Sequence, residues 1–371
     1  MTTRRSLWGL LVALCGCSSS SPVSDAGPPP ELGVARVDDL GAFSLPSENV
    51  LSRDGVSSGG FRGKILWTFG DTFLDHGRMN PLDGSGVISA TSGWSGVSMP
   101  TALTEPVDAQ GVPAQLIPFT DAEVAQNRRD ALDGWALWPG PLVDTGSAAG
   151  LVFFQRVKRS KGSGFDSLGL GTARLAADGT VAVRNPADLF SREVPDGGAP
   201  RSLMGSGGIS VVNGEVYLFA CDPSGFLNFA CRVGRAPVAS ADQASAYRFY
   251  DGREWSADPA RAVPVIDRVS VVSLSYNPYL RRYLAIGQRV LTDTAILRVA
   301  DRPEGPWMEP GVEISPSDGG VLAPGDPQAT NYLTLEHVAL RSADARQVVV
   351  SYARPMGAFR GEVRLARITL R

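Results

Sequence analysis

Apolar residues in this chain fall in short runs of strand length, each bounded by Gly, Pro, Asn or Asp. Helical periodicity is confined to one stretch, residues 121–132. Four of the apolar segments read as β-hairpins: residues 140–157, 208–220, 270–287 and 333–352. In the second, Asn213-Gly214 is a two-residue hairpin turn signal. Each hairpin precedes a short tag: Arg174-Leu175-Ala176, Arg232-Val233-Gly234, Arg298-Val299-Ala300 and Arg364-Leu365-Ala366. The tags recur at spacings of 58, 66 and 66 residues. An earlier hairpin spans residues 52–74, with Gly86-Val87-Ile88-Ser89 at the tag position and no arginine.

A fixed period of this size, with about four strands per unit, predicts the blades of a propeller. Five copies predict an all-β, five-bladed β-propeller. The last copy ends at Arg371 with only three strands, so residues 32–43 are expected to close it, leaving no free sheet edge. Two β-sandwich domains are the alternative, disfavoured because no linker interrupts the repeat.

Composition fits this picture. Of 371 residues 43% are hydrophobic and 20% charged, and Gly (42) and Pro (27) are abundant, as a turn-rich chain with a packed core requires. A net charge of −3 gives no footing for nucleic acid. With only two histidines, His76 and His337, a histidine-rich zinc site is not expected. No cofactor is called for, although an oxygen-ligated calcium stays open.

The N-terminus reads as an export signal: Arg4 and Arg5 ahead of a short apolar run, residues 7–14, too short to span a bilayer. It ends in Leu14-Cys15-Gly16-Cys17, which resembles the lipobox of bacterial lipoproteins. On that basis residues 1–17 are a signal peptide with Cys17 as the lipidated residue. Residues 18–31 are a Ser/Pro-rich tether and residues 32–371 the propeller. Ser18, following the cysteine, points to the outer membrane or cell surface, with the lipid as the membrane contact and a monomeric domain beyond it. Cys221 and Cys231 flank Asp222-Pro223-Ser224-Gly225, read as a turn, and are expected to form a disulfide in an oxidising compartment.

Candidate chemistry gathers in the first hairpin, SRDGVSSGGFRGKILWTFGDTFL. With residues 52–58 and 64–71 as strands and 59–63 as the turn, cross-strand partners sum to 122–125. Asp54 and Asp71 then fall at the same open end, which in a propeller borders the axial pocket. Two carboxylates there can divide acid and base work on a glycosidic bond. Either aspartate could equally hydrogen-bond its own turn.

Residues 63–72 (GKILWTFGDT), preceded by Arg53-Asp54-Gly55, resemble the signature of a bacterial family catalogued as a domain of unknown function. Weaker matches are Trp138-Pro139-Gly140, residues 247–255 (YRFYDGREW), residues 275–279 (SYNPY) and Gly305-Pro306-Trp307. The resemblance implies a five-bladed propeller related to arabinanases and fructosidases, with some members endo-D-arabinanases. It places the catalytic carboxylates at Asp54 and Asp71. The expected function is a surface-anchored glycoside hydrolase on a furanose-rich polysaccharide; the alternative is a non-catalytic glycan-binding or structural propeller. Further substrate-binding candidates are Arg53, Trp135, Trp138, Glu336 and His337, the last pair beginning the final hairpin.

Overall fold

The two-residue turns set the local geometry. At Arg62-Gly63 and Asn213-Gly214 all four residues have positive φ, between 48° and 79°, the primed-turn geometry that matches strand twist. A computed structural model describes residues 27–43, 49–75, 77–100, 102–161, 164–177, 179–193, 201–317, 330–357 and 360–371. Cys17 and His76 therefore lie outside the described residues. No helix among those described is long and apolar enough to cross a membrane.

The strands make five antiparallel sheets, arranged as a five-bladed propeller. After the closing strand β1 (Val34–Phe43), blade 1 comprises β2 (Val50–Arg53), β3 (Val56–Phe61), β4 (Lys64–Leu74) and β5 (Val87–Ser95). Helix α1 (Asp121–Arg129) precedes blade 2: β6 (Trp135–Val143), β7 (Ala149–Ser160), β8 (Gly164–Ala176) and the short outer strands β9 (Val183–Arg184) and β10 (Phe190–Ser191). Blade 3 holds β11 (Gly208–Val212), β12 (Glu215–Gly225) and β13 (Asn228–Pro237), with β14 (Arg248–Tyr250), β15 (Trp255–Ser256) and β16 (Pro264–Asp267) outside. Blade 4 is β17 (Val271–Asn277), β18 (Arg282–Gln288), β19 (Ala295–Ala300) and β20 (Val312–Ile314). Blade 5 is β21 (Tyr332–Glu336), β22 (Gln347–Gly357) and β23 (Arg360–Leu370).

The N-terminal strand closes the ring as expected: β1 pairs antiparallel with β23, from Val34 opposite Leu370 to Phe43 opposite Val363. The tag residues lie in the third strands of blades 2 to 5, and each tag arginine finds an acid. Arg174 pairs with Asp242, Arg232 with Asp222, Arg298 with Glu309 and Arg364 with Asp39 of the closing strand. The helix begins where the sequence places it. Thr120 accepts from the Glu123 amide and Glu123 reaches back to the Thr120 amide, a capping box.

Five apolar clusters fill the five gaps between adjacent blades. Second strands are therefore buried on both faces. In β12, Tyr217 and Phe219 face blade 4 while Val216, Leu218 and Ala220 face blade 2. This explains continuous apolar runs where a half-exposed strand would alternate. The first strands β3, β6, β11, β17 and β21 approach one another around the axis. At Gly59 a Cβ would lie 1.8 Å from the Leu142 carbonyl oxygen, so only glycine fits between the blades there. These strands all begin at one end of the axis, called the upper rim below, and reach their hairpin turns at the lower end.

The first hairpin differs in detail from the expected one. Its turn is Arg62-Gly63, not residues 59–63, and the first strand is broken at Asp54-Gly55, where Gly55 has φ +52°. The Asp222-Pro223-Ser224-Gly225 segment is strand, with the turn displaced to Phe226-Leu227. Strand pairing continues because Cys221 sits opposite Cys231, and the two form a disulfide.

Candidate functional site at the upper rim

Asp54 and Asp71 oppose one another directly across the interrupted hairpin. The Asp54 amide donates to the Asp71 carbonyl at 2.7 Å, and the Gly70 amide donates to the Asp54 carbonyl at 2.8 Å. The kink at Gly55 ends ladder pairing just where the first strand meets the rim, leaving the Asp54 side chain partly exposed. The Tyr332 hydroxyl, which begins the first strand of blade 5, donates to Asp54 Oδ1 at 2.6 Å. Burial raises the Asp54 pKa to about 6; the Tyr332 hydrogen bond opposes the rise and the nearby Asp71 charge adds to it. Burial, followed by the Asp54 charge, pushes the Tyr332 hydroxyl up, so it stays a donor.

Asp71 has a different environment. It is 6% exposed, accepts from the Ser89 hydroxyl at 2.6 Å, and is ion-paired with Arg159 at 2.8 Å. Arg159 is itself fixed by donating to the Trp135 carbonyl at 3.0 Å. Burial thus raises Asp54, while its neighbour is held by an arginine and a serine, two different environments for one pair of carboxyls.

The other candidates are spread more widely. Trp138 belongs to the site: a Cβ on Gly70 would lie 3.5 Å from its ring, and its indole N–H is buried without a partner among the described residues. Trp135 lies one step outward, with Arg156 and Lys158 stacked over it at 5.0 and 5.8 Å and its carbonyl holding Arg159. Arg53 turns away from Asp54. It stacks on Phe69 and makes a bidentate pair with Glu105 at 2.6 and 2.5 Å, because successive strand residues point to opposite faces.

Glu336 and His337 end the first strand of blade 5 rather than begin it. Glu336 lies at the other end of β21 from Tyr332; a bulge at Leu333, φ +55°, leaves them opposite residues three apart on β22, roughly 10 Å. Its side chain is 1% exposed and is bound by Arg341 and the Ser275 hydroxyl. His337 is buried, contacts Ser58 Oγ through Nδ1 at 2.6 Å and packs on Trp67. Burial lowers its pKa to about 3, so the ring is neutral. Both line an axial cavity of about 360 Å³ formed with Ser57, Ser210 and Ser273, whose lining does not include Asp54 or Asp71. The substrate-binding candidates Glu336 and His337 therefore sit at a different level of the axis from the two aspartates.

Tyr332, Arg159 and Ser89 escaped the sequence reading. Ser89 falls in the degenerate tag of the first copy. Tyr332 starts the last blade's first strand as Asp54 leads into the first blade's, so aligning the copies on strand starts would have exposed it. Arg159, 88 residues from Asp71, carried no local signal. Among the described residues no three His, Cys, Asp or Glu side chains gather as a metal would need.

No curated protein matches the chain. Among solved structures, a Bacteroides ovatus protein whose hydrolase designation is provisional superposes with TM-score 0.53, at 15% identity over 87% of both chains. A family 117 glycoside hydrolase of the marine bacterium Zobellia galactanivorans gives 0.52, at 9% identity over 90% of each. An exo-β-1,3-galactanase of Phanerochaete chrysosporium, seen with β-1,3-galactotriose, gives 0.50 at 11% identity, over 90% of this chain and 64% of that one. At such identities the likeness is one of fold. Residues 192–350, from the end of blade 2 into blade 5, match the family model DUF4185, a domain of unknown function, and the Phe69–Thr72 stretch lies outside that span.

Proposed function

We propose that the protein is a glycoside hydrolase acting on a furanose-rich polysaccharide, endo-D-arabinanase-like, with Asp54 as its proton-exchanging carboxyl. The observation that carries this reading is the contrast within one cross-strand pair. Asp54 is raised to about 6 by burial, and Asp71 is ion-paired with Arg159. In this role Asp54 protonates the leaving glycosidic oxygen. Asp71 bonds to the anomeric carbon as the glycosidic C–O bond breaks, and a water, giving its proton to Asp54, then displaces the Asp71 carboxylate to release the sugar. Directly opposed strand residues have Cβ atoms about 5 Å apart, which favours the short carboxyl separation of retaining enzymes. Glycoside hydrolases among the proteins of similar fold support the class, and the resemblance around Asp54 and Asp71 supports the substrate.

Cys17 is proposed to carry a lipid that holds a monomeric propeller at the outer membrane or cell surface on the 18–31 tether. A non-catalytic glycan-binding propeller is the second reading, and the near-complete burial of Asp71 under Arg159 favours it. Incubating the soluble domain with arabinan and arabinogalactan, beside Asp54→Asn and Asp71→Asn variants of checked fold, separates the two. Sugar release by wild type that either substitution abolishes supports hydrolysis at this pair. Equal release by all three moves the site elsewhere, and binding without release supports the second reading.

A further inference from the structure

We propose that Phe165 and Phe226, on neighbouring blades of the upper rim, form a stacking track for a polymeric glycan that leads away from Asp54 over blades 2 and 3. This rests on the glycan-directed reading above.

Phe165, on β8, is 59% exposed. It packs edge-on against Trp138, with ring centroids 4.6 Å apart at 71°. Trp138 lies against Gly70, whose amide is bonded to Asp54. The residue opposite Phe165 in the hairpin is Arg159, which holds Asp71. Phe165 thus neighbours the Asp54 backbone through Trp138 and Gly70, and the Asp71 carboxylate through Arg159, while its ring stays 59% exposed.

Phe226 and Leu227 form the tip of the β12–β13 hairpin, 95% and 50% exposed. Leu227 has φ +51°, a conformation that costs a bulky residue and that Asn or Gly would adopt easily. The Asn213-Gly214 turn, by contrast, uses the favourable residues at both positions. Two large apolar side chains at a strained tip gain nothing for folding. The tip is braced below by the Cys221–Cys231 disulfide and the Asp222–Arg232 ion pair.

Phe165 and Phe226 stand at the same end, because the second strand of every blade runs upward. Their hairpins are long: β7 and β8 have 12 and 13 residues and β12 and β13 have 11 and 10, as long as β22 and β23 of blade 5 with 11 each, against 7 and 6 for β18 and β19 of blade 4. Exposed aromatic rings suit the C–H faces of sugar rings. Rings on two adjacent blades, only Phe165 of them packed on Trp138 beside Gly70, suit a chain of several sugars better than a single sugar.

The test measures binding of short and long arabino-oligosaccharides to the full propeller carrying Asp54→Asn, which keeps the ligand intact. Adding Phe165→Ala should weaken both ligands about tenfold. Adding Phe226→Ala should weaken only the long one, and Phe226→Trp should restore it. Thermal unfolding should be unchanged for Phe226→Ala, whose ring is 95% exposed, and lowered by a few degrees at most for Phe165→Ala, which loses its contact with Trp138. The track is overturned if Phe226→Ala binds long chains as tightly as the parent, or if neither ligand is bound. It is equally overturned if the substitutions instead abolish self-association or binding to lipid vesicles. Because binding is read on uncleaved ligand, a protein that binds through both rings but never hydrolyses would leave the track standing and remove only the catalytic reading.

Discussion

Replacing Asp54 by Asn should stabilise the protein at neutral pH and leave its stability unchanged in acid. The folded carboxyl titrates at about 6 and the ordinary value is 3.8, with burial as the main cause. Between those values the folded state holds a proton that the unfolded chain has released. Stability therefore falls as pH rises through this window, and the whole penalty is present above it. A difference of roughly two pH units corresponds to about 3 kcal/mol. Asparagine is nearly isosteric, and its carbonyl can still accept from the Tyr332 hydroxyl, so the substitution removes the charge without emptying the site. The expected gain is about 2–3 kcal/mol at about pH 7.5 and close to zero at about pH 4. Thermal and urea unfolding of both proteins at the two pH values reads this directly. A variant less stable than wild type at neutral pH, or an equal difference at both pH values, would refute the reasoning. So would a carboxyl carbon NMR titration placing wild-type Asp54 near 4.

His337 acts with the opposite sign. Its folded pKa is about 3 against 6.5, so the unfolded chain takes the proton first and stability is lost as pH falls from 6.5 towards 3; ring nitrogen shifts should report a neutral imidazole at about pH 5. Removing Arg159 leaves the Asp71 charge buried with one side-chain donor, Ser89. Arg159→Ala should cost about 3–5 kcal/mol in a melt, with Arg159→Lys recovering part of it. A chain starting at Asn49 lacks the closing strand and bares the edge of β23. It should aggregate by light scattering where the chain from Gly27 stays dispersed; equal solubility of the two would contradict the role given to β1.

The repeat was legible because its signals are local. Asn213-Gly214 fixes its own turn, the arginine tags recur in the third strands, and a three-stranded last copy demanded a partner strand. The turn depends on two residues and the tags on a period read along the chain; only the partner of the last copy lies far away, at Val34–Phe43. The first hairpin was readable only to within a few positions. Cross-strand counting brought Asp54 and Asp71 to the same end, but the break at Gly55 and the exact opposition of the two acids depend on how β3 packs against blade 2.

The sequence by itself determined the strands, their order and the need for ring closure, since turn chemistry and hydrophobic runs are written residue by residue. Only the tertiary structure decided what surrounds each acid. Tyr332 reaches Asp54 from blade 5, and Arg159 reaches Asp71 from blade 2. Those contacts exist because a closed ring brings blades 2 and 5 to either side of blade 1, hundreds of residues apart in the case of Tyr332. Glu336, with His337 just beyond it, lies at the far end of β21 from Tyr332, past a bulge at Leu333 that no sequence signal announced. The pair of aspartates was visible in the chain. Its asymmetry, one carboxyl titrating near neutrality and the other clamped by an arginine, came from the fold.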